Sequence, residues 1–459
     1  MSLRPRASTR LWRALRASGW TFAALISLLA IGRVVLAPDP SDAGSTRVAM
    51  AQLAHLRPGL EARADAMQEL FPEGRVFTLA LYGLAWVDVG RGTRDQALRA
   101  RALREARHAL ALAEAPRSRE PFELAGGLPY GIFYEGWTAH LRAGTHHLAG
   151  GDAARDTAFR ATCERLDTAF RSGGPFLDSY VGMAWPADNA VGAAALRSCG
   201  TLLDARYTRT ARGWLRAALQ RADPATGLLP HAAWSPQPRG ESAALMIRFI
   251  HEIDPAAAAA QYAAMQRTFA TRFAGLLPAL REYPPGVHGD GDVDSGPVIL
   301  GVSAPASVVG IAAARMTGHH RAAADLRASP EVLGAPLQWR GRRSYAFAKL
   351  PVGDAFLAWV SVVRPWNVPA SAPSPATPYG GWRVIWCGLW GLLLVISLLR
   401  ILRITGKTIR MPRLVRPRQA TRRGRAGFLP TPGDLPSGDS VRRARTAHPA
   451  LPPRGASPD

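Results

Sequence analysis

Hydrophobic residues recur at three- and four-residue spacings over most of residues 48–364, and this period predicts helices. Strand-like alternation is nearly absent outside a short hairpin predicted at 337–350. One set of predicted helices is apolar and rich in small residues on all sides, as a fully buried helix is. These helices start near residues 77, 131, 185, 240, 296 and 352, at successive intervals of 54, 54, 55, 56 and 56 residues.

Charged, amphipathic helices alternate with the apolar set and suit an outer layer. They are predicted at 93–115, 152–172, 207–222 and 255–275. Connections from an apolar to a charged helix are short, whereas the return connections are long and rich in Gly, Pro and aromatic residues. Long loops on one side of a rigid scaffold commonly carry function. We therefore expect a site where the apolar helices begin, and the converging helix N-termini there favour anionic groups.

Six hairpins with an apolar inner set and an amphipathic outer set resemble the (α/α)6 toroid. That architecture is shared by many glycoside hydrolases, polysaccharide lyases, a glucuronyl epimerase domain and linalool dehydratase-isomerase. The resemblance spans residues 48–364 and rests on the repeat, without a diagnostic motif. An α-solenoid is the competing architecture, although solenoid loops are usually more uniform. The expected fold class is all-α, a toroid of six helical hairpins flanked by two transmembrane helices.

Two apolar stretches, 19–37 and 382–399, are long enough to cross a hydrocarbon core. The first is predicted to be a retained anchor, with a cleaved signal peptide as the alternative. Residues 365–381 are rich in Pro, Ser and Ala and are expected to link the domain to the second span. Residues 400–459 are rich in Arg, Pro and Gly and are predicted to be disordered.

The net charge of +23 is concentrated at the two ends of the chain. Residues 1–18 hold five arginines and no acid, and residues 400–459 carry a net +11, which leaves +7 for the middle. Both basic ends are therefore predicted to be cytoplasmic in a bacterial-type inner membrane, with the main domain periplasmic or extracellular. The middle lacks a nucleic-acid-binding motif, so membrane lipid and a glycan or small-molecule substrate are the expected partners, and nucleic acid is not.

The chain has three cysteines, of which Cys387 belongs to the second apolar stretch. Cys163 and Cys199 would face an oxidising compartment, where they either pair or remain two small buried thiols. Both fall in helix bodies, so the sequence does not favour cysteine chemistry in the predicted cleft. The histidine pairs at 146–147 and 319–320 fall at the opposite helix ends and are not predicted to be functional.

The candidate catalytic residues are carboxylic acids near the starts of the apolar helices. Asp188 and Asp294 are the predicted general base and general acid couple, and Glu135 is the substitute acid. The neighbouring aspartates of Asp294 repel each other, which can raise one pKa and so separate the two roles. For Asp188 and Glu135 the structural alternative is a charge that complements a helix dipole. The predicted substrate-binding residues are Tyr130, Tyr134, Tyr180, Trp185, His231, Trp234, Arg239, Glu241, His288 and Asp292.

Within those loops, Arg239 either clamps an anionic group or pairs with Glu241. Tyr180 and Trp185 suit an aromatic platform for a sugar ring. Ser295 or Asp294 is predicted to cap a helix that Gly296 opens.

The stretch HGDGDVDSGPVILG at 288–301 does not fit an EF-hand, because position six is Ser295 and position twelve is Gly301. A zinc site would require a second histidine or cysteine, which this stretch lacks. No cofactor is expected, although a calcium site outside the EF-hand pattern at Asp290 and Asp292 stays open.

The sequence favours a membrane-anchored toroid enzyme that acts on a carbohydrate or envelope glycan by hydrolysis, lyase or epimerase chemistry. Two alternatives remain. One is a dehydratase-isomerase on an isoprenoid alcohol, suggested by the similar toroid of linalool dehydratase-isomerase. The other is a non-catalytic envelope protein that uses the toroid for binding or scaffolding.

Overall fold

Helices dominate the computed structural model, which describes residues 6–36, 42–123, 127–151 and 153–405. The predicted disordered tail beyond residue 405 and the first five residues lie outside the described part. The helices are α1 (Arg6–Val35), α2 (Asp42–Leu56), α3 (Leu60–Gln68), α4 (Gly74–Gly92), α5 (Gln96–Ala113), α6 (Pro116–Arg119), α7 (Gly131–Ala149), α8 (Thr157–Ser172), α9 (Pro186–Leu202), α10 (Ala205–Leu219), α11 (Gly240–Ile253), α12 (Pro255–Phe269), α13 (Ala304–Met316), α14 (His320–Leu333), α15 (Pro351–Val362) and α16 (Trp382–Thr405).

The apolar helices α4, α7, α9, α11, α13 and α15 pack side by side in chain order. Each contacts the next, and α15 also contacts α4. Small residues permit the close approach, since a Cβ added at Gly136 of α7 would lie 3.1 Å from the backbone nitrogen of Gly192 in α9. Trp86, Trp137 and Trp359 fill the space between these helices and are fully buried.

Five of the six predicted helix starts are confirmed within three residues by the starts of α4, α7, α9, α11 and α15. The start predicted near residue 296 is wrong, because α13 begins at Ala304. Ser303 caps it, accepting a hydrogen bond from the Ala306 N–H at 3.0 Å. Gly296 has a left-handed φ of 60° in the preceding loop. The expectation that Ser295 or Asp294 caps this helix is therefore also wrong.

The charged helices lie beside the apolar ones, and four of them begin at an aspartate. Asp95, Asp156, Asp204 and Asp254 each accept backbone N–H bonds at the starts of α5, α8, α10 and α12. An aspartate at this position satisfies N–H groups that have no partner inside the helix, so it fixes where each helix begins. The helix that packs outside α15 is α2, from the other end of the domain.

Two small sheets interrupt the helical pattern. β1 (Ala270–Phe273), β2 (Leu277–Arg281) and β3 (Val302–Ser303) form an antiparallel sheet in that order. The prediction that an outer helix continues to residue 275 is wrong, because α12 gives way to β1 at residue 270. The predicted hairpin is confirmed by β4 (Leu337–Trp339) and β5 (Arg342–Ser344). The fold is thus mostly helical, with short strands beside the helices.

Cys163 in α8 and Cys199 in α9 form a disulfide, which decides between the two alternatives that the sequence left open. Both residues are fully buried. The bond therefore joins an outer helix to the inner helix that follows it.

The segment at 365–381 lies along the domain at the end where the inner helices finish. Trp366 donates its Nε1–H to Asp88 at 2.8 Å and stacks on His140 with ring centroids 4.4 Å apart. The backbone N–H groups of Trp366 and Asn367 both donate to Glu252 at 3.0 Å. These three partners lie at or beyond the midpoints of α4, α7 and α11, so the segment covers this end of the helix assembly.

The helices α1 and α16 are both long and apolar enough to cross a membrane, over Leu11–Val35 and Trp382–Thr405. They pack against each other. Trp386 near the start of α16 donates to the carbonyl of Ala30 near the end of α1 at 3.0 Å. Arg400 lies 5.8 Å from the ring centre of Trp20. The two helices are therefore antiparallel, and the ends Val35 and Trp382 lie next to the domain.

Candidate functional site

A cavity of about 70 Å³ lies at the end of the helix assembly where the inner helices begin. The starts of α4, α7, α9 and α11 contribute to its wall, together with the long loops that precede them. The lining residues are Glu73, Phe77, Phe133, Tyr180, Trp185, Ala187, Asp188, His231, Glu241, Ser242, Leu245 and Asp294. The wall combines aromatic and apolar side chains with acidic ones.

Four carboxylic acids line the cavity, and each comes from a different element. Glu73 precedes α4, Asp188 and Glu241 lie in the first turns of α9 and α11, and Asp294 lies in the loop between β2 and β3. Asp188 and Asp294, predicted as a couple, thus share one cavity. The lining set contains neither lysine nor arginine within the described part of the chain.

Asp188 is 9% exposed and is held by a single short hydrogen bond from the Ser179 hydroxyl, 2.6 Å from Oδ2. Burial raises the pKa of Asp188 to about 7, and the charges of Glu73 and Glu241 act in the same direction against the Ser179 bond. A carboxyl group with this pKa is protonated in a large fraction of molecules near neutral pH. It can therefore donate a proton, which is the role of a general acid.

Asp294 lies on an exposed stretch of the loop, and its carboxyl group faces the other acids. The surrounding protein removes water from the Asp294 carboxyl group, and this loss of solvation raises its pKa well above the ordinary value. The negative charges of Glu241 and Glu73 act in the same direction. A position at a helix cap would favour the charged form of Asp294. The cap belongs to Ser303, so that reason for assigning Asp294 as the base does not hold.

Glu241 belongs to a hydrogen-bonded group with Ser242 and His231. The Ser242 hydroxyl donates to Glu241, and His231 Nδ1 lies 2.6 Å from the Ser242 oxygen and 3.4 Å from Glu241 Oε1. Arg239 Nη1 lies 3.3 Å from His231 Nε2, and a guanidinium can only donate. This network assigns the proton of the neutral imidazole to Nδ1, where it faces Ser242 and Glu241.

A strip of aromatic rings leads from the cavity to the surface. Tyr180 and Trp185 lie edge to face at 6.0 Å, and Trp185 and Trp234 at 5.5 Å. Trp234 is 59% exposed. The Tyr180 hydroxyl donates to Glu73, which ties the strip to the acidic wall. Exposed aromatic faces beside carboxylates suit saccharides, whose C–H faces stack while their hydroxyls bond to the acids.

Three residues predicted for the cleft from the region of α7 lie outside the cavity wall. Glu135 is buried and pairs with Arg165 of α8 at 2.9 Å. Tyr134 donates to the carbonyl of Ala113 at 3.1 Å, and Tyr130 packs against Tyr134 with ring centroids 5.4 Å apart. Their contacts place these side chains toward the outer helices.

Arg239 is engaged by two acids rather than by Glu241. Its Nε lies 2.6 Å from Glu282 Oε1, and its Nη1 lies 2.5 Å from Asp292 Oδ2. Glu282 is fully buried, and burial with the charge of Glu241 raises its pKa to about 7 in spite of Arg239. The expectation that Arg239 pairs with Glu241 is wrong, and its guanidinium is already neutralised by protein carboxylates.

The other polar residues of the loop at 288–301 mainly hold that loop in its own conformation. The Asp292 carboxylate accepts bonds from the Ser295 N–H and hydroxyl at 2.9 Å in addition to the Arg239 contact. These bonds, against the opposing effect of burial, lower the pKa of Asp292. Asp290 and His288 are exposed, and neither lines the cavity. Calcium at Asp290 and Asp292 gains no support, because a guanidinium already neutralises Asp292.

Sequence reasoning missed Glu73 and Ser179. Glu73 stands just before α4, so it lies near the start of an inner helix as Asp188 and Glu241 do. An acidic residue recurring at inner-helix starts was a detectable signal. No pattern in the sequence points to Ser179, because its bond to Asp188 depends on how the loop before α9 folds back.

No family model matches this chain, and no curated protein was found to be similar to it in sequence. The residues of the cavity therefore carry the functional argument by themselves.

Proposed function

We propose that this chain is a membrane-anchored (α/α)6-toroid enzyme that hydrolyses a glycan by carboxylate acid/base chemistry. The observation that carries the proposal is the cavity in which four acids from separate elements face one another beside a strip of aromatic rings. The closed succession of contacts among the six inner helices, from α4 through α15 and back to α4, supports the toroid.

Asp188 is the proposed general acid, and it would protonate the leaving glycosidic oxygen as the bond to the anomeric carbon breaks. Glu241 is the proposed base, and it would take a proton from the attacking water, whose oxygen joins the anomeric carbon. Ser242 and His231 hold the Glu241 carboxylate in place. Asp294, predicted as one member of the catalytic couple, lines the same cavity as Asp188 and Glu241.

The charge of the cavity favours a neutral or amino sugar over a uronate. Four acids line it without a cation in the described lining set, and Arg239 is already bound by Glu282 and Asp292. A uronate carboxylate would meet repulsion there. Lyase and epimerase chemistry on uronates requires neutralisation of that carboxylate, so hydrolysis fits the cavity better. A protonated amino group would instead be attracted.

The isoprenoid alternative has less support from the residues. Phe77, Phe133 and Leu245 are the apolar residues of the cavity wall. The four acids of the same wall would remain unsolvated against a hydrocarbon chain, at an energetic cost. Cys163 and Cys199 form a buried disulfide, so neither supplies a thiol.

The test uses the purified full-length chain with a panel of neutral, amino-sugar and uronate polysaccharides, followed by release of reducing ends. Asp188→Asn and Glu241→Gln should each lower turnover by about 100-fold or more. Asp290→Asn, an exposed aspartate of the same acidic region, is the matched control and should retain the wild-type rate. Cleavage of uronates with formation of an unsaturated product would replace hydrolysis by lyase chemistry.

The scaffolding alternative predicts a different result. It would be favoured if a glycan changed the fluorescence of Trp185 and Trp234 while no member of the panel was cleaved. Full activity of both Asp188→Asn and Glu241→Gln would refute the assigned roles.

We further propose that both termini are cytoplasmic and that the helical domain is extracytoplasmic. The support is the antiparallel packing of α1 and α16, which puts the start of α1 and the end of α16 on one side, together with the preference of Arg-rich flanks for the cytoplasm.

A further inference from the structure

A second cavity, of about 260 Å³, lies where the two apolar helices meet the domain. Its wall includes Val34 and Val35 at the end of α1 and Arg383 at the start of α16. These residues mark the ends of the two apolar spans. With the spans in a bilayer, the cavity would lie at the level where the hydrocarbon core gives way to the lipid headgroups.

The polar part of this cavity is mainly cationic. Arg315, Arg327 and Arg383 line it together with His320, and Glu331 is the one acid among its described lining residues. The Glu331 carboxylate is bound outside the cavity wall by Arg343 and by the Tyr345 hydroxyl at 2.6 Å. Arg327 Nε also lies 3.5 Å from Glu331 Oε1, so Glu331 is shared between Arg327 and these two partners, and the arginines of the cavity wall still outnumber its one acid.

Two of the arginines, Arg327 and Arg383, are held in fixed positions by the protein. Arg327 donates to the carbonyl of Leu357 at 3.2 Å and to the Ser361 hydroxyl. Arg383 lies 3.4 Å from Asp325 and donates to the carbonyl of Ala324 at 3.3 Å. Because side-chain ordering is already achieved in the free protein, less entropy is lost when an anion binds.

The end of α1 is itself fastened beside the cavity. Arg33 lies near the boundary of the first apolar span and donates to the carbonyl of Val332 in α14 at 3.0 Å. Val34, Val48 and Ile311 supply an apolar part of the cavity wall. The cavity thus combines a cationic pocket with an apolar surface that continues into exposed Val35.

We propose that this cavity binds the headgroup phosphate of an anionic membrane phospholipid, with the arginines on the phosphate and the glycerol end along the valines. Guanidinium groups match phosphate oxygens in charge and geometry. The apolar wall at the end of a membrane helix distinguishes a lipid from free phosphate, since only a lipid presents acyl chains there. The inference rests on the proposed membrane placement of α1 and α16.

The experiment measures lipid binding to the full-length chain in detergent by native mass spectrometry. The probes are dioleoyl phosphatidylglycerol, dioleoyl phosphatidylcholine and inorganic phosphate. We expect phosphatidylglycerol to bind in preference to the other two. The double variant Arg315→Gln/Arg383→Gln should lose about 25-fold in affinity, because each arginine near an anionic lipid is worth about fivefold.

Arg321→Gln is the control, because Arg321 is an exposed arginine of α14, the helix that supplies Arg327, and does not line the cavity. It should bind phosphatidylglycerol as the wild type does. Ala324→Phe fills the cavity without changing its charge and should also weaken binding. This variant tests the site independently if the double variant fails to fold. Equal lipid affinity in all variants would overturn the proposal, and so would inorganic phosphate that binds as tightly as phosphatidylglycerol.

Alkaline carbonate extraction separates the two proposals. A chain released from the membrane by carbonate refutes the membrane placement, and the lipid site falls with it. A chain that stays in the membrane but shows no preference for phosphatidylglycerol refutes the lipid site alone.

Discussion

Replacement of Asp88 by Asn should stabilise the protein at neutral pH but not in acid. Asp88 in α4 is fully buried, and its Oδ1 accepts the Trp366 Nε1–H, an interaction that the amide oxygen of Asn can keep. Burial raises the pKa of Asp88 to about 6, although Arg248 and the Trp366 bond oppose this. Its negative charge is therefore a net cost to the folded state that Asn does not carry.

The sign and the size of the effect follow from proton linkage. An aspartate in the unfolded chain has its ordinary pKa of 3.8, so between pH 3.8 and about 6 the folded protein binds a proton that the unfolded chain has lost. The contribution of Asp88 to the free energy of unfolding therefore falls as pH rises through this window. The full difference corresponds to about 3 kcal/mol. In a protein of this size we expect this difference to raise the Tm of Asp88→Asn above that of the wild type by about 5 °C at neutral pH.

The assay is thermal unfolding of the full chain in detergent, followed by tryptophan fluorescence at pH 4, 5.5 and 7. The Tm of Asp88→Asn minus that of the wild type should grow steadily over this range. Asp290→Asn removes an exposed carboxyl group and serves as the control, with no such growth. A difference that is the same at pH 4 and pH 7 would refute the reasoning, because the buried charge would then carry no net cost.

Three further measurements test other parts of the structure. Replacing Cys163 and Cys199 by Ala should lower the free energy of unfolding by about 2–4 kcal/mol and make Tm insensitive to reductant, whereas an unchanged Tm would contradict a stabilising disulfide. Arg239→Gln leaves buried Glu282 without its cation and should cost about 3–5 kcal/mol, partly recovered in the double variant Arg239→Gln/Glu282→Gln; a neutral single variant would contradict the pairing. Alkaline phosphatase fused after residue 45 should be active and after residue 410 inactive, and the reverse result would overturn the proposed orientation.

The helical repeat was predictable because inner helices must be apolar on all sides, a pattern that leaves a strong trace in the sequence. The error at residue 296 has a specific cause. Gly296 and Pro297 look like a helix start, but Ser303 and Pro305 offer another one eight residues later. Pairing of Val302 and Ser303 with β2 selects the second, and no local pattern reports that long-range contact.

The sequence predicted which loops form the site, but not which of their side chains line the cavity. Asp188 and Asp294 share a cavity because both precede or begin inner helices at the same end. Glu135 also lies near such a start, yet it turns toward Arg165 in the outer layer. Whether a first-turn side chain faces the cavity or the outer helices depends on the rotation of that helix, which packing sets.

Two buried aspartates, at opposite ends of the inner helices, differ in what surrounds them. Asp88 has Trp366 as a donor and Arg248 as the first of several nearby cations, which reduce the cost of its buried charge without cancelling it. Asp188 has the Ser179 hydroxyl as its donor, and Glu73 and Glu241 oppose its charge. A purely structural role for Asp188 would gain from a cation such as Arg248, whereas a proton donor works best when its pKa lies near the working pH. Asp188→Asn should therefore leave the protein at least as stable as the wild type while abolishing turnover, and a variant that unfolds instead would make Asp188 a structural residue.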